Sequence, residues 1–101
     1  MHRIIYEITA SVSVELCESY ERYMIERHIP DLMNTGCFVF ARFDRTKEGS
    51  YRIRYEALDQ SDLDTYFESH APALRKDLTE KFPKGIELSR EIWEEIATFE
   101  K

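Results

Sequence analysis

Glycine, proline and cysteine are scarce here: three, three and two residues in a chain of 101. So few glycines leave no glycine-rich phosphate loop and no nucleophile elbow. The two cysteines, Cys17 and Cys37, lack C-x-x-C spacing, which excludes a zinc module and a disulfide-dense scaffold. They read as small buried hydrophobes in a reducing compartment, with a disulfide or a reactive thiol as the alternative. Long apolar runs are also missing. The longest, Cys37 to Ala41, is five residues, so no helix is expected to span a membrane. Met1-His2-Arg3 is followed only by Ile4-Ile5-Tyr6 before Glu7, too short for a signal-peptide core, and a cytoplasmic location is expected. Positive charge is in deficit, 14 basic against 20 acidic residues for a net −6. Nucleic acid is therefore not expected as a partner, because phosphate binding needs a basic stripe. The densest basic group, Arg42, Arg45, Lys47, Arg52 and Arg54, reads as a solvated or interfacial hairpin face, with local anion binding as the alternative.

What the chain does have is aromatic and periodic. With 43% hydrophobic and 34% charged residues it reads as a single globular domain over residues 1–101. Ile4, Tyr6, Ile8, Ala10 and Val12 alternate with Ile5, Glu7, Thr9 and Ser11, the period of a strand with one buried face. Ser13 is placed to cap a helix carrying Cys17, Tyr20, Met24 and His28 on one stripe. Pro30 is expected to end that helix and push Ile29 out of the helical region. A short turn Pro30 to Asn34 then closes at Gly36. Cys37 to Arg45 and Tyr51 to Ala57 read as strands joined by a hairpin around Gly49. Ser61 is expected to cap a second helix with the stripe Leu63, Tyr66, Phe67 and His70, with Asp64 completing a capping box. After Pro72 a helix resumes through Leu74, Leu78 and Phe82. Ile86, Leu88, Arg90 and Ile92 form a last strand. The segment from Trp93 onward continues the strand, coils, or packs on a partner.

The order is β-α-β-β-α-β, the ferredoxin-like α+β arrangement: a four-stranded antiparallel sheet with helices on one face. Two segments occupy matching places in its halves. Glu26-Arg27-His28-Ile29-Pro30-Asp31-Leu32 and Glu68-Ser69-His70-Ala71-Pro72-Ala73-Leu74 both read E-x-H-x-P-x-L. The uncovered sheet face is expected to hold Ile5, Phe38, Phe40 and Trp93. That is too much apolar surface for a monomer, so the expected partner is a second copy packed sheet to sheet.

Several stretches resemble a family of small bacterial proteins of unknown function placed among the dimeric α+β barrels. They are Tyr6-Glu7, the R-H-I-P-D-L-x-x-T-G-C-F run from Arg27 to Phe38, Tyr51 to Glu56, His70-Ala71-Pro72-x-Leu74-Arg75, and Ser89 to Ile92. The resemblance covers nearly the whole chain. It implies a dimeric α+β barrel and no particular reaction. The wider superfamily includes cofactor-free monooxygenases, muconolactone isomerase-like enzymes, sugar mutarotases and haem-binding or haem-degrading proteins, which hold ligands between sheet and helices.

Five residues could carry chemistry. His28 and His70 lie on apolar helical stripes, Arg90 sits among Ile86, Leu88 and Ile92, and Tyr6 and Tyr55 point from neighbouring strands. Converging between helices and sheet, they would make a pocket with one fixed positive charge, two imidazoles and phenolic hydroxyls. Arginine would hold a carboxylate, phenolate or enolate, and a histidine would move its proton. The structural alternatives are equally concrete. Each histidine can close a helix end ahead of its proline. Arg90 can pair with Glu7 or with a partner's carboxylate. The tyrosines can be core aromatics whose hydroxyls reach water. No metal is expected, since Glu26 and Glu68 precede the histidines by two positions and point away from them, about 200° around a helix. The leading functional expectation is a homodimeric small-molecule-binding protein, with no tightly bound cofactor, that could be an isomerase or a monooxygenase-like enzyme acting on a small anionic or phenolic ligand. The alternatives are a non-catalytic dimeric module with a filled interior, and a haem binder with an axial histidine.

Overall fold

The structure is a computed structural model that describes residues 2–101. Strand β1 is Ile4–Val12, followed by a 3₁₀ turn Val14–Leu16, helix α1 Cys17–Tyr23, a π-helical turn Met24–His28 and helix α2 Ile29–Met33. Then come β2 Phe40–Lys47, β3 Ser50–Ala57, α3 Gln60–Ser69, α4 Ala71–Lys81 and β4 Ile86–Glu94. The strands form one antiparallel sheet in the order β2-β3-β1-β4, with the helices on one face, as the periodicity predicts.

The period-two patterns do what they should. Ile4, Tyr6, Ala10 and Val12 of β1 are buried beneath the helices, next to Tyr51, Ile53 and Tyr55 of β3. Leu63 and Tyr66 of α3 and Tyr20 of α1 close the core above them. The β2–β3 turn depends on Gly49. Its φ is +84°, and a Cβ there would lie 2.7 Å from the Val12 carbonyl oxygen. The Val12 amide donates to the Gly49 carbonyl at 2.8 Å, which pins the hairpin to the end of β1. Helix α1 is tied to the same hairpin by Glu21, which accepts from Tyr51 Oη at 2.6 Å and from Arg45 at 2.8 Å.

Several local expectations fail for identifiable reasons. Pro30 does not break its helix, and Ile29 stays helical at φ −65°, ψ −46°. The helix widens instead. The Ile29 amide reaches back five residues to the Met24 carbonyl, and the wide turn relieves the clash that a proline ring makes with the carbonyl four residues before it. Ser13 stands at the start of the 3₁₀ turn but makes no side-chain capping bond. Asp59, not Ser61, caps α3: its carboxylate accepts from the Asp62 amide at 2.9 Å, while Asp64 accepts from Gln60. A carboxylate two residues upstream displaces the serine, and Ser61 donates to that same carboxylate.

The most consequential correction concerns Phe38. It is not on the uncovered face. Residues 37–39 bend instead of alternating, and β2 begins only at Phe40. Phe38 is 4% exposed and packs on Tyr6, Tyr55 and Tyr66.

The register then fixes what the uncovered face presents. Its first row across the sheet is Phe40, Glu56, Ile5, Trp93, and its second is Arg42, Arg54, Glu7, Glu91. The third is Asp44, Arg52, Thr9, Ser89. The face is apolar at one end, charged in the middle and polar beyond. Strand β4 ends at Glu94, and residues 95–101 follow without regular structure.

Candidate functional site

Between sheet and helices lies a small cavity of ≈ 30 Å³. Tyr6, Tyr55 and Arg90 reach it from the sheet, Tyr20, His28 and Leu32 from the first helical segment, and Tyr66, Arg75 and Leu78 from the second. The structure thus brings His28, Arg90, Tyr6 and Tyr55 to one place and leaves His70 out.

Each position has a local cause. His28 closes the π-helical turn, and its ring packs on Tyr23 at 5.9 Å. It is 9% exposed and, among the described residues, the one buried side chain outside the hydrophobic and aromatic core set. Burial drives its pKa down to about 4, more than Asp31 and Asp77 can offset, so the imidazole is neutral at physiological pH. His70 instead occupies the junction of α3 and α4 at φ −124°, ψ −38°, half-buried and away from the cavity.

Arg90 departs from its expected setting in two ways. It lies on the helix side of the sheet, opposite Ile8, but β4 is an edge strand that is covered only around Ile86 and Leu88, and the residue is exposed. Glu7, its expected partner, is on the other face and pairs with Arg54 at 3.4 Å. Arg90 therefore stands at the mouth of the cavity as a free cation, with no ion pair among the described residues. A second arginine stands there too. Arg75 donates to Tyr6 Oη at 3.3 Å and lies over the Phe67 ring.

The cavity lining mixes polar and apolar side chains, and its polar atoms are incompletely paired. Tyr20 Oη, Tyr55 Oη and His28 Nδ1 are all buried without a hydrogen-bond partner, and all belong to residues lining the cavity. Such atoms cost roughly 1–3 kcal/mol each if nothing meets them. The cavity has space for about two waters, each needing about 10–15 Å³ of such space. Burial also raises the phenol pKa values of Tyr20, Tyr55 and Tyr66, which keeps them protonated donors. The cavity lining thus offers a water or a ligand oxygen two phenolic hydroxyls and an imidazole nitrogen, with Arg75 and Arg90 on the same lining.

Tyr20, Tyr66 and Arg75 were not among the predicted site residues. The tyrosines sit on apolar helical stripes, where an aromatic reads as core. Arg75 had a signal: it precedes Leu78 and Phe82 by three and seven positions, on the inward-facing side of α4.

A larger hollow of ≈ 850 Å³ lies on the uncovered sheet face, among Thr9, Ser11, Arg52, Glu87 and Ser89. None of its lining residues carries an unpaired buried polar atom, so it lacks the mark that singles out the small cavity. Among the described residues no group of three or more His, Cys, Asp or Glu side chains could hold a metal ion. Among the described residues, too, no helix is long and apolar enough to cross a membrane.

Comparison with known proteins supports the fold and leaves the reaction open. No curated protein matches the chain. Among solved structures, a protein of unknown function from Nitrosomonas europaea superposes with a TM-score of 0.73 at 9% identity, over 100% of this chain and 96% of that one. An ethyl tert-butyl ether D (EthD) family protein from Bacillus halodurans gives 0.71 at 15% identity, over 92% and 99%. MupZ from Pseudomonas fluorescens gives 0.72 at 10% identity, over 91% and 71%. At these identities the likeness is one of fold. A family model described as a domain of unknown function, DUF4286, matches residues 3–96, and the chain belongs to that family.

Proposed function

We propose that the protein is a homodimer that binds a small anionic or phenolic molecule at the His28 cavity. The observation that carries this reading is the convergence of three unpaired buried polar atoms on one cavity whose mouth is flanked by Arg75 and Arg90. Native interiors rarely leave such atoms unmet. The ligand's anionic group would sit between the guanidinium groups, and its polar end would replace the cavity water. His28 is neutral before binding. A negative charge beside it would raise its pKa toward neutrality and make it a proton acceptor suited to isomerase or monooxygenase-like chemistry without a cofactor. The dimer would form through the uncovered sheet face, which exposes Phe40 and Trp93 at 39% and 47%.

A second reading is favoured by the size of the cavity: ≈ 30 Å³ has no room for a substrate as it stands, still less for a haem. On that reading the chain is a non-catalytic module with a water-filled defect. Calorimetric titration with small carboxylates and phenols separates the two. Binding that Arg75→Ala and Arg90→Ala each weaken about tenfold or more supports the ligand site. No binding to the wild type, together with a Tyr55→Phe variant more stable than wild type, supports the filled module.

A further inference from the structure

The cavity beside His28 runs against the charge of the chain that surrounds it. The chain carries a net −6. Yet no aspartate or glutamate lines this cavity, and its only charged side chains are Arg75 and Arg90. Neither arginine has an ion pair among the described residues. The arginines of the larger surface hollows are neutralised where they stand. Arg45 pairs with Glu21 at 2.8 Å and Arg52 with Asp44 at 3.0 Å, and each hollow has carboxylates on its own lining. Arg75 and Arg90 are both exposed, so the two uncompensated charges lie where the lining meets solvent.

The inner lining is of the opposite kind, polar and uncharged. Tyr20 and Tyr55 are each 0% exposed, their hydroxyls have no partner, and burial keeps them protonated. The His28 imidazole beside them is neutral at physiological pH. Each phenol has one hydrogen to donate, and a carbonyl oxygen has two lone pairs and no hydrogen of its own. One such oxygen can therefore accept from both hydroxyls. Size agrees with this. A cavity of ≈ 30 Å³, enough for about two waters, takes the carbon and oxygen of one carbonyl group. A carboxylate is larger and a phenol ring larger still. A carboxylate placed there would also give up water for neutral donors alone, a costly exchange for a full charge.

We infer that the ligand is an oxo acid, held with its ketone oxygen between the hydroxyls of Tyr20 and Tyr55 and its carboxylate against Arg75 and Arg90. This rests on the small-molecule site proposed above and narrows its ligand from anionic or phenolic molecules to one class. The two parts of the site act differently. The arginines attract any carboxylate, because they meet only its charge. The phenols discriminate. A ketone oxygen replaces the hydrogen bonds of the water it displaces, whereas the methylene of a plain acid displaces the same water and leaves both buried hydroxyls unmet.

Calorimetric titration of the full chain with matched pairs of acids tests this. Pyruvate is set against propionate and acetoacetate against butyrate, so that each pair differs only in the oxo group, and phenol is the fifth probe. At least one oxo acid should bind about tenfold or more tightly than its plain partner. Tyr20→Phe and Tyr55→Phe each remove one unpartnered hydroxyl and keep the ring that fills the core. In each, that preference should shrink about threefold or more, with binding of the plain acid undiminished. Arg75→Ala and Arg90→Ala should weaken both members of a pair by the same factor, about tenfold or more, and leave the preference intact. Plain acids that bind as tightly as their oxo partners, or phenol bound in preference to all four acids, overturn the oxo-acid assignment and leave the ligand site standing. A preference that survives both phenylalanine variants, or variants that lose oxo and plain acids equally, overturns the placement of the ketone oxygen. A wild-type chain that binds none of the five probes overturns both this inference and the site beneath it.

Discussion

His28 and His70 occupy the same sequence pattern in the two halves of the fold, and the chain treats them differently. At His28 the helix runs on through Ile29 and Pro30 by widening one turn, and the imidazole is buried. At His70 the helix breaks and a new one starts at Ala71, leaving the imidazole half-exposed. The cause is what the following residues have to bury. Beyond His28, Leu32 is 1% exposed, and keeping the helix continuous is what delivers it to the core. Beyond His70, Ala71 is buried and Leu74 only partly so, and the new helix carries Leu78 and, at its end, Phe82 into the core. A repeated local motif therefore marks the pseudo-symmetry of the fold without imposing one geometry. Tertiary packing decides which histidine faces the cavity.

Side-chain deletion should give the largest break in that comparison. Removing the buried ring in His28→Ala strips contacts from Tyr23 and the cavity wall and should cost about 2–3 kcal/mol. His70→Ala, at a half-buried junction, should cost less than about 1 kcal/mol. Urea denaturation of both variants checks this. Equal losses would mean that the two imidazoles do the same structural work and that the contrast drawn from burial is wrong.

Acid should give the next largest effect. The folded pKa of His28 is about 4 against an ordinary 6.5, because burial disfavours the imidazolium. Above pH 6.5 the group is neutral in both states and contributes no pH dependence. As pH falls below 6.5 the unfolded chain takes up a proton that the folded chain refuses, so stability drops, at most about 1.4 kcal/mol per pH unit. The loss levels off near pH 4 at roughly 3 kcal/mol. Between pH 6.5 and 5, before most carboxylates titrate, a His28→Gln variant should lose most of this slope. A variant that keeps the full wild-type slope would place the titrating group elsewhere.

The sequence carried the fold well and the site partly, and the division has a physical basis. Period-two and helical patterns report which residues must be buried together, and they place the four strands and the two helical segments in chain order. Tyr6, Tyr55 and His28 reach the cavity because the strand and helix periods that point them inward are the same ones that build the core. Effects that depend on a neighbour in space were not legible. Alternation carried Phe38 to the wrong face because it assumes regular strand where the backbone bends. Period two puts Arg90 on the inward face with Ile86, Leu88 and Ile92, because it reports a face and is blind to an edge. The Asp59 cap needed a comparison of two candidates for the same amide. Pro30 followed a rule for regular helices that a π turn suspends.

The smallest effects should come from the two prolines, and they test why the halves diverged. Pro72 sits in the first turn of α4, where its missing amide hydrogen costs nothing, and it narrows the unfolded ensemble. Pro72→Ala should therefore destabilise by about 0.4–1 kcal/mol. Pro30 follows an unbroken helical run, where a proline is normally costly. The wide turn removes most of that cost, and alanine at the same place regains an amide donor. Pro30→Ala should be neutral or stabilising by less than about 1 kcal/mol. The two substitutions should thus differ in sign in urea midpoints. The Ile29 amide supplies the structural readout. If the proline ring alone forces the wide turn, Pro30→Ala lets that amide move from the Met24 carbonyl to that of Ile25, and its hydrogen-exchange rate and chemical shift change. If the burial of His28 and Leu32 holds the turn, both stay as in wild type. Because the contrast between the halves is assigned here to packing, an annealed turn in Pro30→Ala would overturn that assignment.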